Sequence, residues 1–438
     1  MTPAARIQAT IELVDEVVVQ PKPADSIMSV YFRARRYIGS KDRTAVAANT
    51  YRVLRRFLRL TWHLDRANAG HTGRNLVLAE LLLAENLSHA AITEIFNGGQ
   101  YAPAKLREDE QYFLTRIAGE FEPADMPLHI RLECPAEYAE KFHAVLGDRF
   151  EAEMRGLMTD APLDLRVNTR VISRDAALEE LKQAGVAVVA TALSPLGIRV
   201  TGRPHLPGLD IFMRGGIEIQ DEGSQLIALL VGARPGEQVV DFCAGAGGKT
   251  LAIAAMMENK GRVVACDVLD KRLSRGRVRF TRAGVDNIVT HPLTSENDKW
   301  VKRSAGTFDR VLVDAPCSGT GVWRRNPDSR WKHLGPGLAE LVPLQARILA
   351  SAARLVKPGG RLVYSTCSLL PDENQLQVEA FLAANPDFRV VPVQEAIETI
   401  KMGEKTINLP VSSLPYMMLS PARDQTDGFF AAVMTKNF

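Results

Sequence analysis

Cysteine is scarce in this 438-residue chain. Five are present, Cys134, Cys243, Cys266, Cys317 and Cys367, none in a CxxC pair and none at a zinc-site spacing to histidine. That excludes a disulfide scaffold and leaves no metal to expect; an odd, scattered set suits a reducing, cytoplasmic setting. No apolar run approaches the roughly 20 residues that cross a bilayer, so no membrane partner is expected. The first residues, MTPAARIQATIELVDEVVVQ, lack the basic-then-apolar layout of a secretory signal. Net charge is only +3, so any electrostatic partner must be recognised by local clusters. Repeats and low-complexity tracts are also missing. What is present is an ordinary globular composition, 46% hydrophobic and 24% charged, long enough for two or three domains and expected as a monomer.

Three regions differ in pattern. Over 1–150 apolar residues recur at helical spacing, as in RTAVAANTYRVLRRFLRLTWHLD and RNLVLAELLLAENLS, with no strand alternation. Over 160–232 short strands surround one helix: LDLRVNT, then SRDAALEELKQAG with an N-cap serine and a closing glycine, then VAVVATA and GIRVTG. From 233 to 438 apolar strands alternate with amphipathic helices. That implies an α/β, doubly wound, mostly parallel sheet covered on both faces, whose ligands sit at the carboxyl ends of its strands.

At the first of those strand ends stands VVDFCAGAGGKT, residues 239–250. A P-loop would need glycine where Cys243 stands, and a dinucleotide fingerprint would need glycine where Thr250 stands. A class I S-adenosylmethionine (SAM) turn fits instead: Asp241 ends the strand, and small residues let the backbone approach a ligand. A tight strand–helix turn alone accounts for one glycine, but not for GAGG behind an acid. The expected cofactor site is Cys243, Ala244, Gly245, Ala246, Gly247, Gly248 and Lys249, joined by Asp267, which ends the next strand in VVACDV and is placed for a ribose diol.

Two further strands end in thiols. FDRVLVDAPCSGTG carries Asp314 and Cys317, and RLVYSTCSLL carries Cys367. Free cysteine is usually a small core residue, and Cys134, Cys243 and Cys266 suit that reading. Cys317 and Cys367 lie past their strands among glycine, serine and threonine, where side chains face a ligand. Chemistry that needs such thiols is methylation at C5 of a pyrimidine: a thiolate adds at C6, C5 becomes nucleophilic enough to take a methyl group, and loss of the C5 proton expels the thiol. Asp314 suits the amino edge and N3 of a cytosine, and would also border the cofactor. Amino-group methylation of adenine is disfavoured, because DAPC lacks the second proline and the aromatic residue of that motif.

DFCAGAGGKT, VDAPCSGTG and STCSLLPDEN, in this order, resemble the RNA (cytosine-5) methyltransferases of the Sun/RsmB/NOP family; LRVNT and IQDEGSQL match elements before that catalytic domain. The resemblance covers about 160–438. It implies a class I SAM-dependent methyltransferase domain, with Cys367 as nucleophile and Cys317 assisting product release. Sequence order alone leaves the choice of attacking thiol open, since DNA cytosine methyltransferases use the Pro-Cys cysteine. One departure concerns the cofactor: where the family commonly has Gly-Asp after the third strand, this chain has VTHPL with His291. The N-terminal region more loosely resembles the NusB-like RNA-binding domain of the bacterial RsmB type, which favours small-subunit ribosomal RNA over transfer RNA. A non-catalytic RNA-binding assembly factor on the same fold is the alternative of a different class.

Local charge agrees with an RNA partner. Nine Lys/Arg and one acid fall between Arg33 and Arg59, a run that suits either a solvated helix face or a phosphate backbone. Lys271, Arg275, Arg279 and Arg282 share one helical face, and WRRNPDSRWK sets two tryptophans among cations, a combination suited to stacking on a splayed base.

Overall fold

The structure is a computed structural model that describes residues 1–202, 204–400, 406–410 and 414–438. The chain divides into two compact units, Met1–Thr159 with Trp323–Gly335, and Asp160–Val322 with Pro336–Phe438.

The first unit is helical. Its long helices Pro3–Val19, Ser40–Arg55 and Phe57–Arg66 bury a stripe that includes Leu13, Val14, Val53, Leu60 and Leu64, as their 3.6-residue periodicity requires. The basic run is largely occupied: Arg35 pairs with Glu12 and stacks over Tyr31, Arg52 pairs with Glu85, and Arg56 with Glu80. Buried Arg59 holds Glu133 at 2.9 Å and Glu122 at 2.6 Å. The WRRNPDSRWK segment corrects the sequence reading. Trp323 is 1% exposed and packs edge-on to Phe142. Trp331 stacks on Phe57 with ring centroids 3.9 Å apart, and the Arg330 guanidinium donates to the Glu133 and Leu157 carbonyls. These rings are core of the helical unit, where aromatic area is worth more buried than offered to a base.

The second unit opens with four short strands, β1 (Leu163–Val167), β2 (Val188–Ala190), β3 (Gly197–Val200) and β4 (Ile217–Ile219), in an antiparallel sheet of order β2-β3-β1-β4. Helix Arg174–Gln183 covers it, capped by Ser173 and ended by Gly185 at φ +76°. Strand β4 was not distinguished in the sequence from the helix after it.

A large sheet follows: β5 (Gln238–Asp241), β6 (Arg262–Asp267), β7 (Ile288–Pro292), β8 (Phe308–Asp314), β9 (Val356–Thr366), β10 (Phe388–Val391), β11 (Met417–Leu419) and β12 (Phe429–Lys436). Its order is β10-β12-β9-β8-β5-β6-β7, with β11 also on β12. The pairs among β5 to β9 are parallel and those of β10, β11 and β12 antiparallel. The expected doubly wound α/β sheet is therefore present, with an antiparallel edge. Central strands are apolar throughout because helices cover both faces; Val239, Val240, Val311, Leu312, Leu362 and Val363 are fully buried. The order reverses between β5 and β8, so a crevice opens at the carboxyl ends of these strands.

Candidate active site

At that crevice lies a cavity of about 850 Å³. The turn after β5 forms its floor. Gly247 caps helix Gly248–Met256 at φ +77°, and a Cβ there would stand 2.4 Å from the Phe280 ring; only glycine fits. The turn is pinned from several sides. Asp267 accepts from the Gly245 and Leu269 backbone N–H groups at 2.9 and 2.8 Å. The Arg279 guanidinium donates to the Ala246 carbonyl, and Arg166 to that of Gly248.

Of the expected cofactor residues, Cys243, Ala244, Gly245, Ala246, Gly248, Lys249, Asp267 and Asp314 line the cavity. Gly247 does not; it shapes the turn. Cys243 lines the cavity rather than filling the core, and burial keeps its thiol protonated by raising its pKa. Cys134 and Cys266 are fully buried core residues, as expected. His291 is not among the lining residues and packs on Trp300 with ring centroids 5.0 Å apart. Val268, Leu269 and Leu293 line that side instead.

The residues fit SAM on one structural observation. Asp241 is 1% exposed; its Oδ2 accepts from the Thr250 hydroxyl at 2.7 Å, while its Oδ1 is buried without a partner in the cavity wall. A buried acceptor left open suits a ligand rich in donors, and SAM brings ribose hydroxyls and an ammonium group.

Burial pushes the Asp241 carboxyl up to about 7, against the Thr250 hydrogen bond. The unfolded group titrates near 4, so folding is unpenalised below that pH and loses stability as pH rises through 7. The full loss is about 4 kcal/mol, of which about 1 kcal/mol falls between pH 6 and 8. The expected result is a ligand-free wild-type melting temperature lower at pH 8 than at pH 6 by about 2 °C more than in Asp241→Asn. Parallel pH profiles for the two proteins would contradict this.

Strands β8 and β9 are parallel neighbours with Asp314 opposite Ser365, so the residues past each end meet. The Cys317 and Cys367 sulfurs are 3.3 Å apart, and both line the cavity. Beside them Lys249 Nζ lies 2.7 Å from Asp314 Oδ2, and the Ser365 hydroxyl donates to Asp314 Oδ1 at 3.0 Å. Burial alone would lower the Lys249 pKa; the charges of Asp314, Asp241 and Cys367 outweigh it and hold the ammonium charged. The Cys317 thiol is driven well above its usual range, first by its hydrogen bond to Cys367 and then by burial. Of the two sulfurs, that of Cys317 is thus held protonated.

The predicted basic face divides. Arg282 is tied to Glu218 at 2.7 Å and lies over Phe212, and Arg279 also pairs with Glu218. Arg275 is exposed and lines the cavity mouth with Arg272, which sequence reasoning had not singled out. The Lys249–Asp314 ion pair joins residues 65 positions apart and is likewise not legible in the sequence. Among the described residues no His/Cys/Asp/Glu cluster could hold a metal, and no helix is long and apolar enough to cross a membrane.

Comparison with known proteins covers the region that holds this cavity. The profile of the family described as 16S rRNA methyltransferase RsmB/F matches residues 228–435, and that of the RsmF/B-like ferredoxin-like domain matches 135–205. Ribosomal RNA small subunit methyltransferase B of Sodalis glossinidius is 39% identical over 63% of this chain, an alignment spanning 59% of that protein. The Klebsiella pneumoniae protein of the same name is 29% identical over 97% of this chain and 96% of its own length. Among solved structures, a methyltransferase homologue from Pyrococcus horikoshii is 30% identical, with a TM-score of 0.60 over 72% of this chain and 99% of its own. With profiles matching 135–205 and 228–435, and a solved methyltransferase homologue 30% identical and matched over 99% of its length, the chain belongs to the RsmB/F family of SAM-dependent methyltransferases.

Proposed function

We propose that the protein methylates C5 of a cytosine in RNA, with small-subunit ribosomal RNA as substrate, through a transient bond between Cys367 and C6 of the base. The observation that carries this reading is the pair of sulfurs 3.3 Å apart at the wall of the cavity that the glycine turn floors. The relatives named ribosomal RNA small subunit methyltransferase B support the choice of RNA.

The residues divide the work as their surroundings dictate. Asp241 and Asp267 offer acceptors to the cofactor. Bound SAM supplies an electrophilic methyl group. The Cys367 sulfur adds as a thiolate to C6 and makes C5 nucleophilic. Asp314, fixed by Lys249 and Ser365, presents a carboxylate to the amino edge of the ring. Once Cys367 is bonded to C6, the Cys317 thiol releases its own proton to solvent, and the resulting thiolate takes the C5 proton; the pair of electrons from that C–H bond restores the double bond as the Cys367 sulfur leaves as a thiolate. Such a site reaches only a base that has left its stack.

The test is incubation with tritiated-methyl SAM and small-subunit ribosomal RNA, followed by digestion to nucleosides. Label is expected in 5-methylcytidine. Label confined to another nucleoside would overturn the reaction assigned, and label with transfer RNA only would overturn the substrate.

A further inference from the structure

We propose that Glu373 is a positioning residue that docks the Cys317 loop onto the Cys367 loop and holds the two sulfurs together, an inference that rests on the roles given above to these cysteines. Glu373 closes the turn Pro371–Glu373 in the stretch STCSLLPDEN and is fully buried. Its Oε1 accepts from the Ser318 backbone N–H at 2.8 Å and from Gln345 Nε2 at 2.9 Å, and its Oε2 accepts from the Ser318 hydroxyl. Gln345 also donates to the Pro316 carbonyl at 2.9 Å. One carboxylate thereby grips the residues on both sides of Cys317.

Other bonds lace the same two loops. The Thr320 hydroxyl accepts from the Leu369 N–H at 3.0 Å, and the Gly321 N–H donates to the Cys367 carbonyl at 2.9 Å. All of these are neutral. If lacing were the whole task, a neutral glutamine would offer Ser318 the same acceptor without the cost of burying a charge. The side-chain oxygens of Glu373 are bonded to Ser318 and Gln345, both neutral. Both oxygens hold Ser318, the residue next to Cys317, and the negative charge raises the Cys317 thiol pKa.

The charged and titratable groups around that thiol are few. Cys367 donates or accepts across 3.3 Å. Tyr364, fully buried, gives its hydroxyl hydrogen bond to the Glu373 carbonyl and is itself held neutral, chiefly by burial. Cys243 lies on the cofactor side, and the Lys249 ammonium answers Asp314 and Cys367. After the Cys367 hydrogen bond, burial and the Cys367 charge, Glu373 is the next influence that keeps Cys317 protonated; the Gly319 N–H opposes it. With Glu373 in place, the Cys317 thiol stays protonated in the free enzyme.

The test reads thiol chemistry without RNA. Wild type and Glu373→Gln are alkylated with iodoacetamide between pH 6 and 9, and the labelled cysteine is identified by peptide mass mapping. Glu373→Gln is expected to label Cys317 about three- to tenfold faster at pH 8, as loss of one neighbouring charge moves a thiol by about half to one pH unit. Its kcat for RNA methylation should fall at least about tenfold, with KM and SAM binding unchanged. Ser318→Ala separates the two effects: it removes one docking bond and keeps the charge, so kcat should fall while the labelling profile stays that of wild type. A folded Glu373→Gln with wild-type labelling and kcat overturns the proposal, as does Ser318→Ala with wild-type kcat, which decides the matter if the first variant does not fold. Failure of the cysteine assignment is a separate result, seen as continued activity without Cys367.

Discussion

Alanine in place of Cys367 is expected to lower methyl transfer to RNA by at least about a thousandfold while leaving the protein folded and able to bind SAM. C5 of cytosine is too weak a nucleophile to attack a sulfonium methyl directly; the adduct at C6 supplies the electron density, and without a sulfur there is no adduct. The thiol is half-buried at the cavity wall, and its backbone carbonyl, not its side chain, receives the Gly321 hydrogen bond that ties the loops. Truncation should therefore cost little stability. Serine would fail almost as badly, because a hydroxyl is a far weaker acid than a thiol and yields almost no anionic nucleophile. The measurement is tritium transfer from labelled SAM, with calorimetry of SAM binding as the check on folding. Turnover within tenfold of wild type would remove Cys367 from the reaction.

How far this site could be read in advance depends on the range of the contacts involved. The juxtaposition of Cys317 and Cys367 was legible because each follows an apolar strand run, and consecutive strands of a doubly wound sheet commonly pair; the Asp314–Ser365 register supplies the rest. The glycine turn was legible for a similar local reason, since φ above zero at Gly245 and Gly247 leaves its mark in residue type. Glu373 was not. Nothing in PDEN says that its carboxylate turns back to a serine 55 positions earlier in the chain. Trp323 and Trp331 misled for the converse reason: aromatic residues among arginines look alike whether they await a base or pack on Phe142 and Phe57, and only the fold tells which. Short antiparallel strands such as Phe388–Val391 and Met417–Leu419 carry too few residues to show a period of two. They form because β12 offers a partner edge, not because of their own pattern.

Alanine in place of Cys317 should act in the opposite sense at the level of the adduct, slowing turnover at least about a hundredfold while a covalent RNA–protein complex accumulates. Cys317 is not needed for attack at C6, and Lys249 and Asp314 remain in place. Its task comes after methyl transfer, when a base must remove the C5 proton before Cys367 can leave. The free enzyme is arranged to delay that task. The largest influence holding the Cys317 proton is its hydrogen bond with Cys367, and the Cys367 charge is another. Once the Cys367 sulfur is committed to a bond with carbon, both are gone and only burial and Glu373 still oppose ionisation, so the same cysteine becomes a competent base at the step that needs one. Without it, elimination waits on water, which is a weaker base than a thiolate at this position. The complex should appear as a retarded band of labelled RNA on a denaturing gel, dependent on SAM, and should vanish when Cys367 is also replaced. A variant that loses turnover without forming the band would refute the assignment of Cys317 to release, and a band formed by Cys367→Ala instead would exchange the roles of the two sulfurs.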